Sequence, residues 1–207
     1  LRRLELAQHS GSYAGDDPVW RFHHILIRDV AYRRLLKSDR AELHERFADW
    51  IQTGSQTKVF ESDELVARHL ESAHGYRGEL GSRDSHTAEL ALRAARCYLS
   101  AARRALDRDA LVSAGAQAAR GAALATADRP LQAELLLVGC EAYLSAGDVA
   151  AGAALVEELD RVADEALAPW ATCYRCQYLV YTDPSRLPEV EERLQESIDE
   201  FARRGDA

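Results

Sequence analysis

At 207 residues the chain is one large or two small domains, long enough to bury a core, and its 47% hydrophobic and 29% charged residues exclude a wholly disordered chain. Its formal charge of -8 and pI near 5.4 exclude a sequence-wide basic field drawn to phosphate backbones. No apolar run approaches the ~18–20 residues of a membrane span, and the longest, Leu135 to Cys140, stops at Glu141. Residues 21–46 are locally basic, with seven Arg and Lys against four Asp and Glu. Interleaved signs on helices read there as a solvated face. Leu1-Arg2-Arg3-Leu4-Glu5 lacks the apolar centre of a signal peptide. The four cysteines are scattered through helical sequence, which argues against a disulfide scaffold and for a reduced cytoplasm. There is no Met, even at position 1, so the expectation is that Leu1 is not a natural start and the chain is a fragment.

In chain order, Leu4 to Ala7 and Val19 to Phe22 flank the turn formers Gly11, Gly15, Asp16, Asp17 and Pro18. That pattern predicts a β-hairpin, or wing. The period then changes to helical, with Leu26, Val30 and Leu35/Leu36 on one face. Asp39 with Glu42 three residues on predicts a capping-box restart, and Leu43, Phe47, Trp50 and Ile51 stripe the second helix. A third helix is predicted from Ser62, with Leu65, Val66, His69 and Leu70 inward. Gly75, Gly78 and Gly81 make 75–86 the expected linker between a domain at 1–75 and one at 87–207.

From Thr87 the sequence reads as tandem helix pairs. Leu90, Ala94, Cys97/Tyr98 and Ala101/Ala102 stripe one helix, and Ala110 to Ala127 is its return. Asp128-Arg129-Pro130 starts the next, striped by Leu131, Leu135, Val138 and Ala142, and Leu155, Leu159, Val162 and Ala166 stripe the one after. The last pair begins near Pro169, breaks at Asp183-Pro184, and ends in the amphipathic series Leu187, Val190, Leu194, Ile198, Phe201. Two similar turns, Asp107-Arg108-Asp109-Ala110 and Ala146-Gly147-Asp148-Val149, lie 39 residues apart. A period of that size means stacked helix pairs, longer than the ~34 residues of a consensus tetratricopeptide. The fold class expected is mainly α: tandem antiparallel helix pairs, a tetratricopeptide-like superhelix, with a short N-terminal β-hairpin.

Chemistry-bearing patterns are sparse. Cys173-Tyr174-Arg175-Cys176 puts two sulfurs on one helical face, but no second pair completes a zinc site and no βαβ context suggests a redox motif. His69 and His74 are five apart and do not share a face cleanly, so no metal site is expected. There is no Gly-x-Ser-x-Gly elbow, no His-Glu-x-x-His and no Gly-x-x-x-x-Gly-Lys-Ser/Thr loop, so no catalytic residue is assigned. The aromatic series Trp170, Tyr174, Tyr178 and Tyr181, with Arg175 beside it, suits a protein or peptide partner. Its bland alternative is that the rings cover the last helix.

The segment Arg21-Phe22-His23-His24-Ile25-Leu26-Ile27-Arg28-Asp29-Val30-Ala31-Tyr32, with Leu35-Leu36, Arg40-Ala41-Glu42-Leu43-His44 and His69-Leu70-Glu71-Ser72-Ala73, resembles a recurring segment of STAND-type bacterial signalling ATPases. The likeness covers about residues 15–75, and 87–207 only in repeat style. In that family a P-loop ATPase module precedes a winged-helix-like segment and tetratricopeptide-like repeats. Many members carry an adenylate/guanylate cyclase domain, others a LuxR-type DNA-binding domain. The resemblance implies a regulatory, non-catalytic module of a cytoplasmic ATP-dependent protein, with ATP or ADP bound by the parent and not by this chain. Its partners would be the parent ATPase module and a protein or peptide. It further implies, as an alternative, a nucleotide-sensing role for His24 or His23, with Arg28 one turn on. A DNA-binding winged helix ranks below both, given the acidic balance, and a stand-alone enzyme last.

Overall fold

The computed structural model describes residues 6–13, 17–54 and 62–205. Among them an antiparallel hairpin is followed by nine α-helices that pack in consecutive pairs. Strands β1 (Ala7–Tyr13) and β2 (Asp17–Phe22) are longer than the sequence pattern predicts. Gly11, expected in the turn, lies within β1, where the register slips between His9 and Ser12 as in a β-bulge. Leu4, Glu5 and the turn at 14–16 lie outside the described residues.

The helices are α1 (Ile25–Arg34), α2 (Lys37–Gly54), α3 (Ser62–Glu79), α4 (Ser85–Leu106), α5 (Leu111–Leu124), α6 (Arg129–Ser145), α7 (Val149–Val162), α8 (Ala168–Thr182) and α9 (Leu187–Arg204). A single 3-10 turn, Pro184–Arg186, precedes α9. None of them is long and apolar enough to cross a membrane. The chain forms two compact units, Leu1–Ala91 and Leu92–Ala207. The expected linker at 75–86 is instead the end of α3, a tight turn and the start of α4. Gly75 and Gly78 sit inside α3, because lone glycines weaken a helix without ending it.

What ends the helices is hydrogen bonding at their carbonyl termini. Gly81, Asp109 and Gly147 all have positive φ, at 82°, 58° and 75°. Each closes a Schellman turn: Ser82 and Gly81 donate to the carbonyls of Arg77 and Gly78, Ala110 and Asp109 to those of Ala105 and Leu106, and Asp148 and Gly147 to those of Tyr143 and Leu144. Asp109 and Gly147 are therefore the equivalent positions of the two repeat turns, one residue out of the register the sequence suggests. Helices α6 and α7 start on carboxylates. Asp128 accepts from the Leu131 amide at 3.1 Å and Asp148 from the Ala151 amide at 3.0 Å. No capping box opens α2, which begins two residues before Asp39.

In the first unit α2 and α3 pack through Ala41, Ala48, Val66, Ala67, Leu70 and Ala73, all buried. The expected stripes are only partly right here. Leu43, Phe47 and Leu65 are exposed, because small alanines set the contact line and push larger neighbours to its rim. The α1 stripe is reversed outright, with Leu26, Val30 and Leu36 each more than half exposed and no buried residue in the helix.

In the second unit one core joins Leu99, Ala102, Ala118, Ala122, Leu131, Leu135, Leu136, Val138, Leu144, Val156 and Leu159. Bare helix backbone receives large side chains there. A Cβ on Gly121 would lie 2.6 Å from Leu135, and one on Gly139 2.5 Å from Leu155. Arginines tie antiparallel neighbours end to end. Arg129, opening α6, donates to the carbonyls of Val162 and Arg161 at 2.9 and 3.1 Å, and Arg204, closing α9, to those of Ala166 and Glu165 at 2.9 Å. The α9 series splits as well: Val190 is buried, whereas Leu187 and Ile198 are exposed and Ser197 is buried instead.

The two equivalent turns respond oppositely to substitution. Asp109→Gly relieves left-handed strain and raises stability by up to about 1 kcal/mol, while Gly147→Ala lowers it by about 1 kcal/mol. Denaturant midpoints of the two variants check the signs. Gly121→Ala overpacks the α5–α6 contact and costs about 1–3 kcal/mol by the same measurement.

Candidate functional site

The residues singled out at the hairpin–helix junction are built into local structure. His24 is the N-cap of α1, extended at φ −139° and ψ 140°, and its Nδ1 accepts from the Leu26 amide at 3.1 Å. The His23 amide donates to the Leu6 carbonyl at 3.1 Å, closing the hairpin against the helix start. Arg28 reaches sideways to Asp29, donating from Nε at 3.0 Å and Nη2 at 2.7 Å. All three side chains are exposed.

The aromatic series on α8 divides. Tyr174 and Tyr178 pack against the main core of the second unit, and Tyr178 also meets the cluster of Cys176, Leu179 and Val190. Burial holds the Tyr174 phenol far above its ordinary pKa, with the Glu141 carboxylate adding to it. Trp170 lies against Phe201 of α9 with ring centres 4.9 Å apart, yet is 46% exposed, and Tyr181 is 52% exposed. Arg175 pairs with Asp160 of α7. Tyr174 and Tyr178 thus cover neighbouring helices, while Trp170 and Tyr181 stay largely outside. Cys176 is fully buried with its thiol toward the Val190 carbonyl, and burial raises both Cys173 and Cys176 above the ordinary thiol range. Among the described residues no three His, Cys, Asp or Glu side chains are placed to hold a metal ion.

A cluster that sequence reasoning missed lies in the first unit. His69 of α3 and His44 of α2 meet Nδ1 to Nδ1 at 2.8 Å. His44 Nε2 lies 2.7 Å from the Tyr32 hydroxyl of α1, which lies 3.0 Å from the Tyr76 hydroxyl of α3. Arg40 lies over the Tyr32 and Tyr76 rings at 5.0 and 5.5 Å and donates to the Arg33 carbonyl at 2.8 Å. Phe47 covers the His69 ring at 4.5 Å. Burial, then the bond to Tyr76, raises the Tyr32 phenol to about 12, and the same bond lowers Tyr76. Either phenol can be the donor of that bond, and the Arg40 guanidinium beside both rings can only donate. Burial lowers the pKa of both histidines. Beside this chain Glu45 accepts from Arg77 at 3.4 Å and lies 3.0 Å from His86. The one sequence signal was His69 on the inward stripe of the third helix, which does not reveal that three helices converge.

No protein-family model, curated protein or solved structure matches the chain.

Because Tyr174 is a core ring and Tyr181 a surface one, truncation separates them. Tyr174→Ala costs about 3 kcal/mol and Tyr181→Ala no more than about 0.5 kcal/mol, read from urea unfolding.

Proposed function

We propose that the chain is a non-catalytic regulatory and protein-interaction module of a larger ATP-dependent signal-transduction protein, of the STAND type and linked to a cyclase-like or transcriptional output. The observation that carries this reading is α1. It follows directly on the hairpin and holds Ile25, Leu26 and Val30 at 59%, 63% and 57% exposure, with no buried residue of its own. Burying such side chains is worth roughly 1.5–3 kcal/mol each, so a helix that leaves three of them in water is built to be covered by another surface. The sequence resemblance names that surface as the parent ATPase module. The helix pairs of the second unit add a repeat-like scaffold of the kind that holds protein partners, with Trp170 and Tyr181 as its outward rings on α8. Regulation would follow from differential affinity: a partner that favours one arrangement of module against ATPase shifts the population toward it.

A second reading, nucleotide sensing through His24, is favoured by the exposure of His23, His24 and Arg28 along the first turn of α1. There a helix N-terminus and a cation would suit a phosphate.

The test uses the protein that contains this chain. Leu26→Ser with Val30→Ser weakens association of the chain with the ATPase module by at least about tenfold in co-purification, while the chain's own stability moves by no more than about 0.5 kcal/mol. Undiminished association would refute the docking role of α1. In the same protein His24→Ala alters ATP turnover under the second reading and leaves it unchanged under the first.

A further inference from the structure

We propose that His44 and His69 form a proton-sensitive clasp between α2 and α3 that holds α1 in place through Tyr32. The inference stands on geometry in the first unit alone and does not depend on the reading of α1 as a docking helix. Tyr32 is gripped between His44 of α2 and Tyr76 of α3, at 2.7 and 3.0 Å, and α1 contributes no buried side chain. Its side-chain ties to α2 and α3 are therefore the two partners of Tyr32, with Arg40 of α2 reaching the Arg33 carbonyl beside them.

The proton count makes the clasp sensitive. Where Tyr32 donates to Tyr76, the Tyr32 oxygen accepts from His44 Nε2–H and His44 Nδ1 accepts from His69 Nδ1–H; where Tyr76 donates, every bond of the row reverses, and in both cases a single hydrogen lies between the two Nδ1 atoms, 2.8 Å apart. One neutral chain then runs His69, His44, Tyr32, Tyr76. A first added proton can sit on an outer nitrogen of the pair, leaving one hydrogen between the Nδ1 atoms. A second must go to the bare Nδ1, where it meets the other ring's proton head-on, and the rings must separate. Separation moves His44 from Tyr32 and splays α2 from α3, releasing both partners of Tyr32 together.

The surroundings oppose both protons. From α1 the pair faces the neutral phenol of Tyr32, and from α2 it has the Arg40 guanidinium near the far end of the chain. From α3 it faces Tyr76, with the Arg68 charge acting on His69. Four carboxylates of the two helices are engaged with other cations: Glu42 with Arg46, Glu45 with Arg77 and His86, Glu64 with Arg68, and Glu79 with Lys37. Partial burial of both rings acts in the same direction. Both histidines thus have folded pKa values below 6.5, so the stability they support is fully present above that pH and is lost as pH falls through the folded values.

Hydrogen exchange of the α1 amides in the whole chain tests this, with the intrinsic exchange rate divided out at each pH. The opening constant of α1 is expected to rise below about pH 6.5 by more than tenfold and up to a hundredfold per pH unit, the limits for one and two linked protons. His69→Gln keeps a donor toward His44 but removes one titration, so the rise falls to tenfold per unit or less. Tyr32→Phe loosens α1 at every pH and abolishes its pH dependence, while the α2 and α3 amides still open in acid. A flat profile in the unaltered chain, or an unchanged slope in His69→Gln, overturns the clasp. Should His69→Gln fail to fold, imidazole nitrogen shifts of the unaltered chain decide: two independent titrations at the ordinary value of about 6.5 overturn it, and a depressed, stepwise pair supports it.

Discussion

Close approach of helix backbones is the constraint on which the packing of the chain rests. Alanines dominate the α2–α3 contact line of the first unit, and in the second unit alanines are joined by glycines across which large side chains reach a neighbouring backbone. Gly121 and Gly139 show it most directly, since Leu135 and Leu155 occupy the space their Cβ atoms would need. Packing at that distance leaves little room for compromise, because interiors are as dense as organic crystals. Each helix end must then be placed accurately. The three Schellman turns and the arginines that reach across to terminal carbonyls do that placing.

Polar side chains do different work in the two units. In Leu92–Ala207 many act at helix ends and rims, and Gln117, Gln132 and Ser197 are the buried polar side chains beside a largely aliphatic core among the described residues. In Leu1–Ala91 a hydrogen-bonded row of imidazoles and phenols runs between three helices, and the one that carries no core of its own is joined to the others through it. A partly buried row of this kind is satisfied only when every member is in place, so it behaves as a unit. A helix attached in that way is easier to move than one attached by apolar burial. The uncovered side chains of α1 give such movement something to act on.

The function proposed here follows from what the chain leaves uncovered more than from what it encloses. No three His, Cys, Asp or Glu side chains are placed to hold a metal ion among the described residues, and burial raises the thiol pKa values of the α8 cysteines. The exposed side chains of α1 and the outward rings of α8 remain as surfaces where another polypeptide would gain by binding.

The fold class was written in the sequence, because period and punctuation are local properties. The change from alternating to helical spacing after Phe22, the turns at Asp107 and Gly147, the start at Asp128 and the break at Asp183 all needed only neighbouring residues to be legible. Faces were legible only where the helix was surrounded. Leu131, Leu135 and Val138 of α6 are buried as their spacing implies, whereas Leu26 and Val30 of α1 carry the same kind of stripe and stay in water. Periodicity says that a face is apolar; it does not say whether this chain supplies the cover. The same limit hid the cluster of imidazoles and phenols. Tyr32, His44, His69 and Tyr76 come from three helices, and only the packing of small residues between α2 and α3 brings their polar atoms within 3 Å of one another. Tertiary structure likewise sent Tyr174 inward and left Tyr181 outside, a choice made by the helices on either side of α8.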